Sequence, residues 1–197
     1  MYRLFVSIIF IIVWLAPSLA SQAASDEIRR MLEDRDEEIK ELLGPSGTEY
    51  TQEQRDQLKD IINDVIDYQA MAEFALGNTF NEISTEQQEE FVSLFATIIR
   101  DNSLNRLDIY RADVTYEEIT VDGNSAIVRT IAELEKVRTP VDYALELRGN
   151  QWMIIDMTID DVSTAESYNR QFQSIIRQRG FDALLQSLQR RAARVTT

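Results

Sequence analysis

The chain contains no cysteine and no histidine among its 197 residues. Without cysteine there is no disulfide, no thiolate nucleophile and no lipoprotein acylation site. Without histidine the usual general base and the commonest metal ligand are both missing. Glycine and proline are sparse, at 6 and 3 residues, so long flexible linkers are excluded. Positive charge is also short. Twenty Lys and Arg face 34 Asp and Glu, for a formal charge of −14. That balance argues against nucleic acid and against standing attachment to an anionic membrane. The catalytic signatures G-x-S-x-G and H-E-x-x-H do not occur, nor does a glycine-rich phosphate loop or a calcium-loop spacing.

The N-terminus carries the one long hydrophobic run. A short basic start, Met1-Tyr2-Arg3, precedes an almost unbroken apolar stretch from Leu4 to Leu15. Small residues then fall at the −3 and −1 positions of two possible cleavage sites, after Ala20 and after Ala23. This is the pattern of a secretory signal peptide, too short and wrongly flanked for a membrane span. Residues 1–20 are therefore expected to be removed and 21–197 to form one domain. Cleavage after Ala20 removes Arg3 and no carboxylate, taking the formal charge from −14 to −15. A secreted bacterial chain without cysteine points to the periplasm.

The mature part reads as helices, then strands, then helices. Asp26 to Leu43 is a charged, weakly amphipathic helix stopped by Gly44-Pro45-Ser46-Gly47. Thr51 and Gln54 form a capping box for a helix with Leu58, Ile61, Ile62 and Val65 on one face. Tyr68 to Leu76 is a third helix, ended by Gly77-Asn78. Ser84 and Gln87 cap the longest helix, whose apolar stripe is Phe91, Leu94, Phe95, Ile98 and Ile99. That stripe runs into Asn102 and Ser103, consistent with a helix end or with room for a ligand.

After Tyr110 the period changes from 3.6 to 2. Thr115–Val121 and Ala126–Leu134 flank the hairpin signal Asp122-Gly123-Asn124. Val141, Tyr143, Leu145 and Leu147 alternate with Asp142, Ala144, Glu146 and Arg148, and Gly149-Asn150 turns the chain into Trp152–Ile159. Simple alternation sends Trp152 and Ile154 one way and Met153, Ile155, Met157 and Ile159 the other. Ser163 and Glu166 begin a helix to about Gln178, and Gly180 separates it from a last one at Asp182 to about Ala193. The expected fold is α+β: a twisted four-stranded antiparallel sheet packed with about six helices.

Two polar constellations invite a chemical reading. Asp156, Asp160 and Asp161 are either a carboxylate cluster or caps at a strand-to-helix junction, where carboxylates are favourable. Tyr143 stands opposite Asp156 if the hairpin is regular, and cone-shaped α+β isomerases use such a pair as acid and base. Apolar surface is plentiful, and pattern alone does not separate an ordinary core from a pocket.

From Met71 onward the chain resembles the MlaC (toluene-tolerance) family of periplasmic phospholipid-binding proteins. Leu76-Gly77 matches the family's L-G. Ser84-Thr85-Glu86-Gln87 with Phe91 and Phe95 resembles T-P-E-Q followed by F-x-x-x-F. Val128-Arg129-Thr130, Pro140-Val141-Asp142-Tyr143 and Trp152 with Asp156 fit its strands. Val162-Ser163, Tyr168, Phe172, Ile175-Ile176, Gly180, Asp182, Leu185 and Leu188 fit its C-terminal signature. Thr85 stands for the usual Pro, Asp161 for the usual Gly, Ser103 for a frequent Tyr, and Phe80 where Trp is common.

The resemblance implies a monomeric shuttle carrying phospholipid between an outer-membrane lipoprotein complex and an inner-membrane ABC transporter complex. Membrane contact would be transient and no cofactor would be needed beyond the phospholipid cargo. The acyl chains would lie in an apolar pocket between sheet and helices, for which Phe91, Leu94, Phe95, Ile98, Tyr143, Leu145, Ile154 and Phe172 are the expected lining. Two other classes stay open: an isomerase-type enzyme using Tyr143 and Asp156, and a periplasmic interaction module with a filled core. The signal-peptide reading predicts that the protein recovered from the periplasm begins at Ser21 or Ala24, which intact-mass measurement decides; a mass retaining Met1 would contradict it.

Overall fold

The computed structural model describes residues 19–104 and 107–195. Residues 1–18, on which most of the signal-peptide reading falls, lie outside the described residues. Helix α1 spans Leu19–Leu43, α2 Gln52–Asn63, α3 Tyr68–Leu76 and α4 Thr85–Leu104. Short 3₁₀ turns follow α3 at Gly77–Asn81 and α4 at Leu107–Arg111. Strands β1 Asp113–Asp122, β2 Ser125–Leu134, β3 Val137–Arg148 and β4 Gln151–Ile159 form an antiparallel meander. A two-residue strand β5, Val162–Ser163, leads into α5 Thr164–Arg179 and α6 Phe181–Val195.

The α+β class is as expected, but the sheet has five strands rather than four, in the order β1-β2-β3-β4-β5. The fifth arises because Asp160 and Asp161 both adopt left-handed backbone (φ 50° and 62°). That geometry reverses the chain in two residues, so Val162 pairs with Ile159 and Ser163 with Thr158. Helix α1 already includes Leu19 to Ser25, ahead of the expected start at Asp26, since Ala20, Ala23 and Ala24 are strong helix formers with no breaker among them. Helix α2 ends at Asn63, before Val65. The chain there leaves the helix to bond β4: Ile154 N donates to Val65 O at 2.7 Å and Asp67 N to Ile154 O at 2.9 Å.

The capping signals work as local chemistry requires. Thr51 and Gln54 make a reciprocal box, and so do Ser84 and Gln87. Asp67 accepts from Ala70 N at 2.9 Å to start α3, and Arg148 Nε lies 3.1 Å from the same carboxylate. The C-terminus of α1 is closed by a distant residue. Arg111 donates to the carbonyls of Leu43 and Gly44 and to the Tyr50 hydroxyl, supplying a cation where the helix dipole is negative.

The helices cover one face of the sheet. Ala126, Val128 and Thr130 of β2 point into them and are fully buried or nearly so. Thr130 donates to Val141 O at 2.6 Å, which removes the cost of burying its hydroxyl. The main core joins α3, α4, α5 and α6 to the sheet through Phe91, Phe95, Phe172 and Leu184. A smaller core of Ile39, Leu43, Leu58, Ile62 and Leu107 ties α1 to α2 and to the 3₁₀ turn before β1. The opposite face of the sheet exposes Ile127 and the ion pair of Arg129 with Glu118.

Glu135 and Lys136 make the β2–β3 turn in left-handed backbone, with φ 49° and 72°. A side chain there costs about 1–2 kcal/mol, against roughly 0.5–1 kcal/mol of extra chain entropy for glycine. Lys136→Gly should therefore stabilise the fold by about 0.5–1 kcal/mol, read as a higher urea midpoint with an unchanged slope; a lower midpoint would show that the Lys136 side chain contributes something beyond the turn.

Candidate functional site

Two strand irregularities determine what faces the helices. In β4 the pairing slips between Ala144 and Leu145: Leu145 pairs with Ile154, but Ala144 pairs with Asp156 and Tyr143 with Met157. Ile155 is the extra residue of a β-bulge. It reverses the alternation, so Ile154, Met157 and Ile159 share one side instead of pointing apart as simple alternation requires. In β1 a second slip, between Tyr116 and Glu118, brings Val114 and Tyr116 onto the same side as Ile119 and Val121.

These side chains form the floor of a cavity of about 300 Å³ between the sheet and the helices. Val114 and Tyr116 of β1, Tyr143 of β3, and Ile154, Met157 and Ile159 of β4 line the sheet side. On the other side α1 contributes Leu32, Arg35, Asp36 and Ile39, at helical spacing. Ile61, Ile62, Val65 and Ile66, from α2 and the segment after it, line it as well, as do Ile99 of α4 and Thr164 and Tyr168 of α5. Ile109 and Tyr110 complete the wall, and Ile109 and Ile159 are also exposed to solvent at 48% and 44%. The cavity is thus walled chiefly by aliphatic and tyrosine side chains. Its two charged residues are already engaged: Arg35 with Glu38 at 2.8 Å and Asp64 at 2.6 Å, Asp36 with Lys40 at 2.9 Å.

A wider groove, of about 540 Å³, lies between α2 and α4. It is lined by Lys59, Asp60, Asn63, Asp64, Ile66, Tyr68 and Arg100. Its polar groups serve the fold: Tyr68 donates to Asn63, Asn63 donates to Lys59 O, and the Arg100 guanidinium sits 4.7 Å from the centre of the Tyr68 ring. Burial pushes the Tyr68 hydroxyl up to about 12 despite Arg100. Size alone favours this groove, but an open, mixed-charge surface has no apolar interior to offer, so the smaller cavity is the better candidate.

Of the residues expected to line a pocket, Tyr143 and Ile154 are on the cavity wall. Phe91, Phe95, Ile98, Leu145 and Phe172 are buried in the main core, with Leu94 half-buried against it. They form a packed layer continuous with the wall. Phe95 meets Tyr168 edge-on at 5.2 Å and Phe91 meets Phe172 at 5.7 Å, while Tyr168 lies on the cavity itself. Sequence reasoning missed the α1 and α2 wall. The spacing of Leu32, Arg35, Asp36 and Ile39 was the available signal, masked by the two charges within it.

The bulge also separates the acid/base pair. Tyr143 stands opposite Met157, not Asp156. The Asp156 carboxylate accepts from Met157 N at 2.8 Å, Ala165 N at 2.9 Å and the Ser163 hydroxyl at 2.5 Å. It is a cap joining β4, β5 and the start of α5. Ser163 in turn accepts from Glu166 N at 3.0 Å. Among the described residues no group of three or more acidic side chains could hold a metal ion, and no helix is long and apolar enough to cross a membrane.

The family model described as MlaC protein matches residues 25–190. The match includes the acidic α1–α2 region, which the motifs from Met71 onward did not reach. No curated protein sequence matches significantly. Among solved structures, the phospholipid-binding protein from Ralstonia solanacearum, in complex with a phospholipid, aligns with a TM-score of 0.72 at 23% identity, covering 88% of this chain and 99% of that one.

Removing the Asp156 carboxylate leaves two amide donors and a hydroxyl without an acceptor. Asp156→Ala should lower stability by about 2–3 kcal/mol in urea unfolding; a loss below about 0.5 kcal/mol would mean that water replaces the cap.

Proposed function

The chain belongs to the MlaC protein family, and from that premise we propose that it is a non-covalent phospholipid carrier rather than an enzyme. The observation that supports this most is the cavity between sheet and helices, walled largely by aliphatic and tyrosine side chains. A phospholipid-bound structure of the same fold shows that this architecture admits such cargo in a relative. Moving two acyl chains of about 15 methylenes into water costs about 24 kcal/mol, at roughly 0.8 kcal/mol per methylene. A dry interior offsets that cost, and a few polar contacts could not.

Volume sets a further requirement. At about 30 Å³ per water-sized unit, a cavity of about 300 Å³ holds roughly ten methylene-sized units. Two full chains need roughly three times that. Loading them requires side chains to move, and the layer formed by Phe91, Leu94, Phe95, Ile98, Leu145 and Phe172 is the apolar material adjoining the wall. In this reading Tyr143 and Ile154 touch lipid first and that layer yields behind them. The protein would act in the periplasm after signal-peptide removal, as a monomer. It would receive and deliver lipid by docking to an outer-membrane lipoprotein complex and an inner-membrane ABC transporter complex. Its net negative charge keeps it from adhering to anionic bilayers between dockings.

Native mass spectrometry of the mature protein expressed in the periplasm, with organic extraction of what is bound, tests the reading. A stoichiometric phospholipid adduct is expected; a clean apo mass after incubation with phospholipid vesicles would refute carriage. Met157→Trp, which projects a larger ring into the cavity, should reduce the adduct severalfold with little change in thermal midpoint. Full loading of that variant would place the acyl chains elsewhere.

A further inference from the structure

Every fully buried side-chain nitrogen or oxygen among the described residues has a hydrogen-bond partner. The hydroxyls of Tyr116 and Tyr143 belong to a different situation. Both side chains line the cavity, both are half-buried, and neither hydroxyl is hydrogen-bonded to any described residue. They stand on the same face of the sheet, on the two strands flanking β2, where their partners are Thr130 and Val128. Between them on β2, Val128 and Thr130 are fully buried, and the Thr130 hydroxyl is already donated to Val141 O. The Arg29 guanidinium lies over the Tyr116 ring, 5.0 Å from its centre.

A phenol directed into an apolar space can donate one hydrogen bond. Burial, followed by Tyr110 and Asp36, pushes the Tyr143 hydroxyl up to about 12. Tyr116 is pushed upward too, by burial first and then by Tyr143, Asp36 and Glu33. Both are therefore neutral donors at any physiological pH. The two charges on the facing wall are already paired, Asp36 with Lys40 and Arg35 with Glu38 and Asp64, so the wall offers an anionic acceptor such as a fatty-acid carboxylate or a phosphate no uncommitted cation. The acceptor that fits is neutral, and in a membrane lipid that is the carbonyl of an acyl ester.

We propose that Tyr116 and Tyr143 donate hydrogen bonds to the acyl-ester carbonyls of a bound glycerolipid, so that the cavity selects ester-linked over ether-linked lipids. The inference rests on the carrier reading and deepens it. It places the ester region of the lipid at the tyrosine pair, with hydrocarbon on the aliphatic side of the cavity.

The test is competition between dioleoyl phosphatidylethanolamine and its chain-matched diether analogue, presented in equimolar vesicles and read by native mass spectrometry. A neutral hydrogen bond contributes about fivefold in occupancy, so the wild type should favour the ester lipid by about fivefold to twentyfold. Tyr116→Phe/Tyr143→Phe should take both forms equally, its ester-lipid loading falling to the level of the diether lipid. Each single substitution should retain part of the preference, and the lipid-free thermal midpoint should hold or rise, because no protein hydrogen bond is lost. Equal loading of both lipids by the wild type would overturn the inference and leave the carrier reading standing. A preference that survives in the double variant would overturn the assignment to these tyrosines. Binding of neither lipid would refute the carrier reading and this inference with it.

Discussion

The cavity depends on β4 carrying one residue more than its partner strand. A regular strand from Trp152 to Ile159 would turn Met157 and Ile159 away from Ile154 and scatter the apolar side chains over both faces of the sheet. The bulge at Ile155 gathers Ile154, Met157 and Ile159 on the helical side. It also places Asp156 where its carboxylate can tie β4 to Ser163 and to the first turn of α5. The same residue insertion therefore shapes the floor of the cavity and positions the helix that carries Tyr168 and Phe172. The bulge in β1 does the equivalent for Tyr116 at the other side of the floor.

The cavity remains open because the helices are held off the sheet by contacts at their ends. Arg111 fixes the C-terminus of α1, and Tyr50 joins the same junction. The segment from Val65 to Asp67 is bonded directly to Ile154. Between these anchors α1 spans the sheet with Leu32, Arg35, Asp36 and Ile39 facing inward. The main core on the far side is close-packed and rich in aromatics, with Phe91, Phe95 and Phe172 almost wholly buried. Order on one side and unfilled space on the other suit a protein that must stay folded both empty and loaded.

Much of this was legible in the sequence because it rests on local chemistry. The capping pairs Thr51–Gln54 and Ser84–Gln87, the turns at Gly123 and Gly149, and the stripe from Phe91 to Ile99 each express themselves within a few residues. The sheet order followed from short connections. Bulges do not declare themselves this way, since Ile155 looks like any other β-branched strand residue, and both the facing of Met157 and the partner of Tyr143 turned on it. The strand β5 was hidden for a related reason. Asp160-Asp161 reads equally well as a helix-capping pair, and only left-handed backbone at both positions makes it a hairpin turn. The α1 wall was obscured by its charge, because Arg35 and Asp36 look solvent-facing until their ion pairs with Asp64 and Lys40 are seen.

The central claim is that acyl chains occupy the space between Tyr143, Ile154 and Met157 of the sheet and the inward face of α1. A crystal structure of the mature protein loaded with phospholipid brominated along its acyl chains would locate them by anomalous scattering. Bromine peaks inside the cavity, with Phe95 or Phe172 displaced if two chains are present, are the result expected. Peaks confined to the outer surface or to the groove beside Tyr68 and Arg100, with the cavity unchanged, would contradict it.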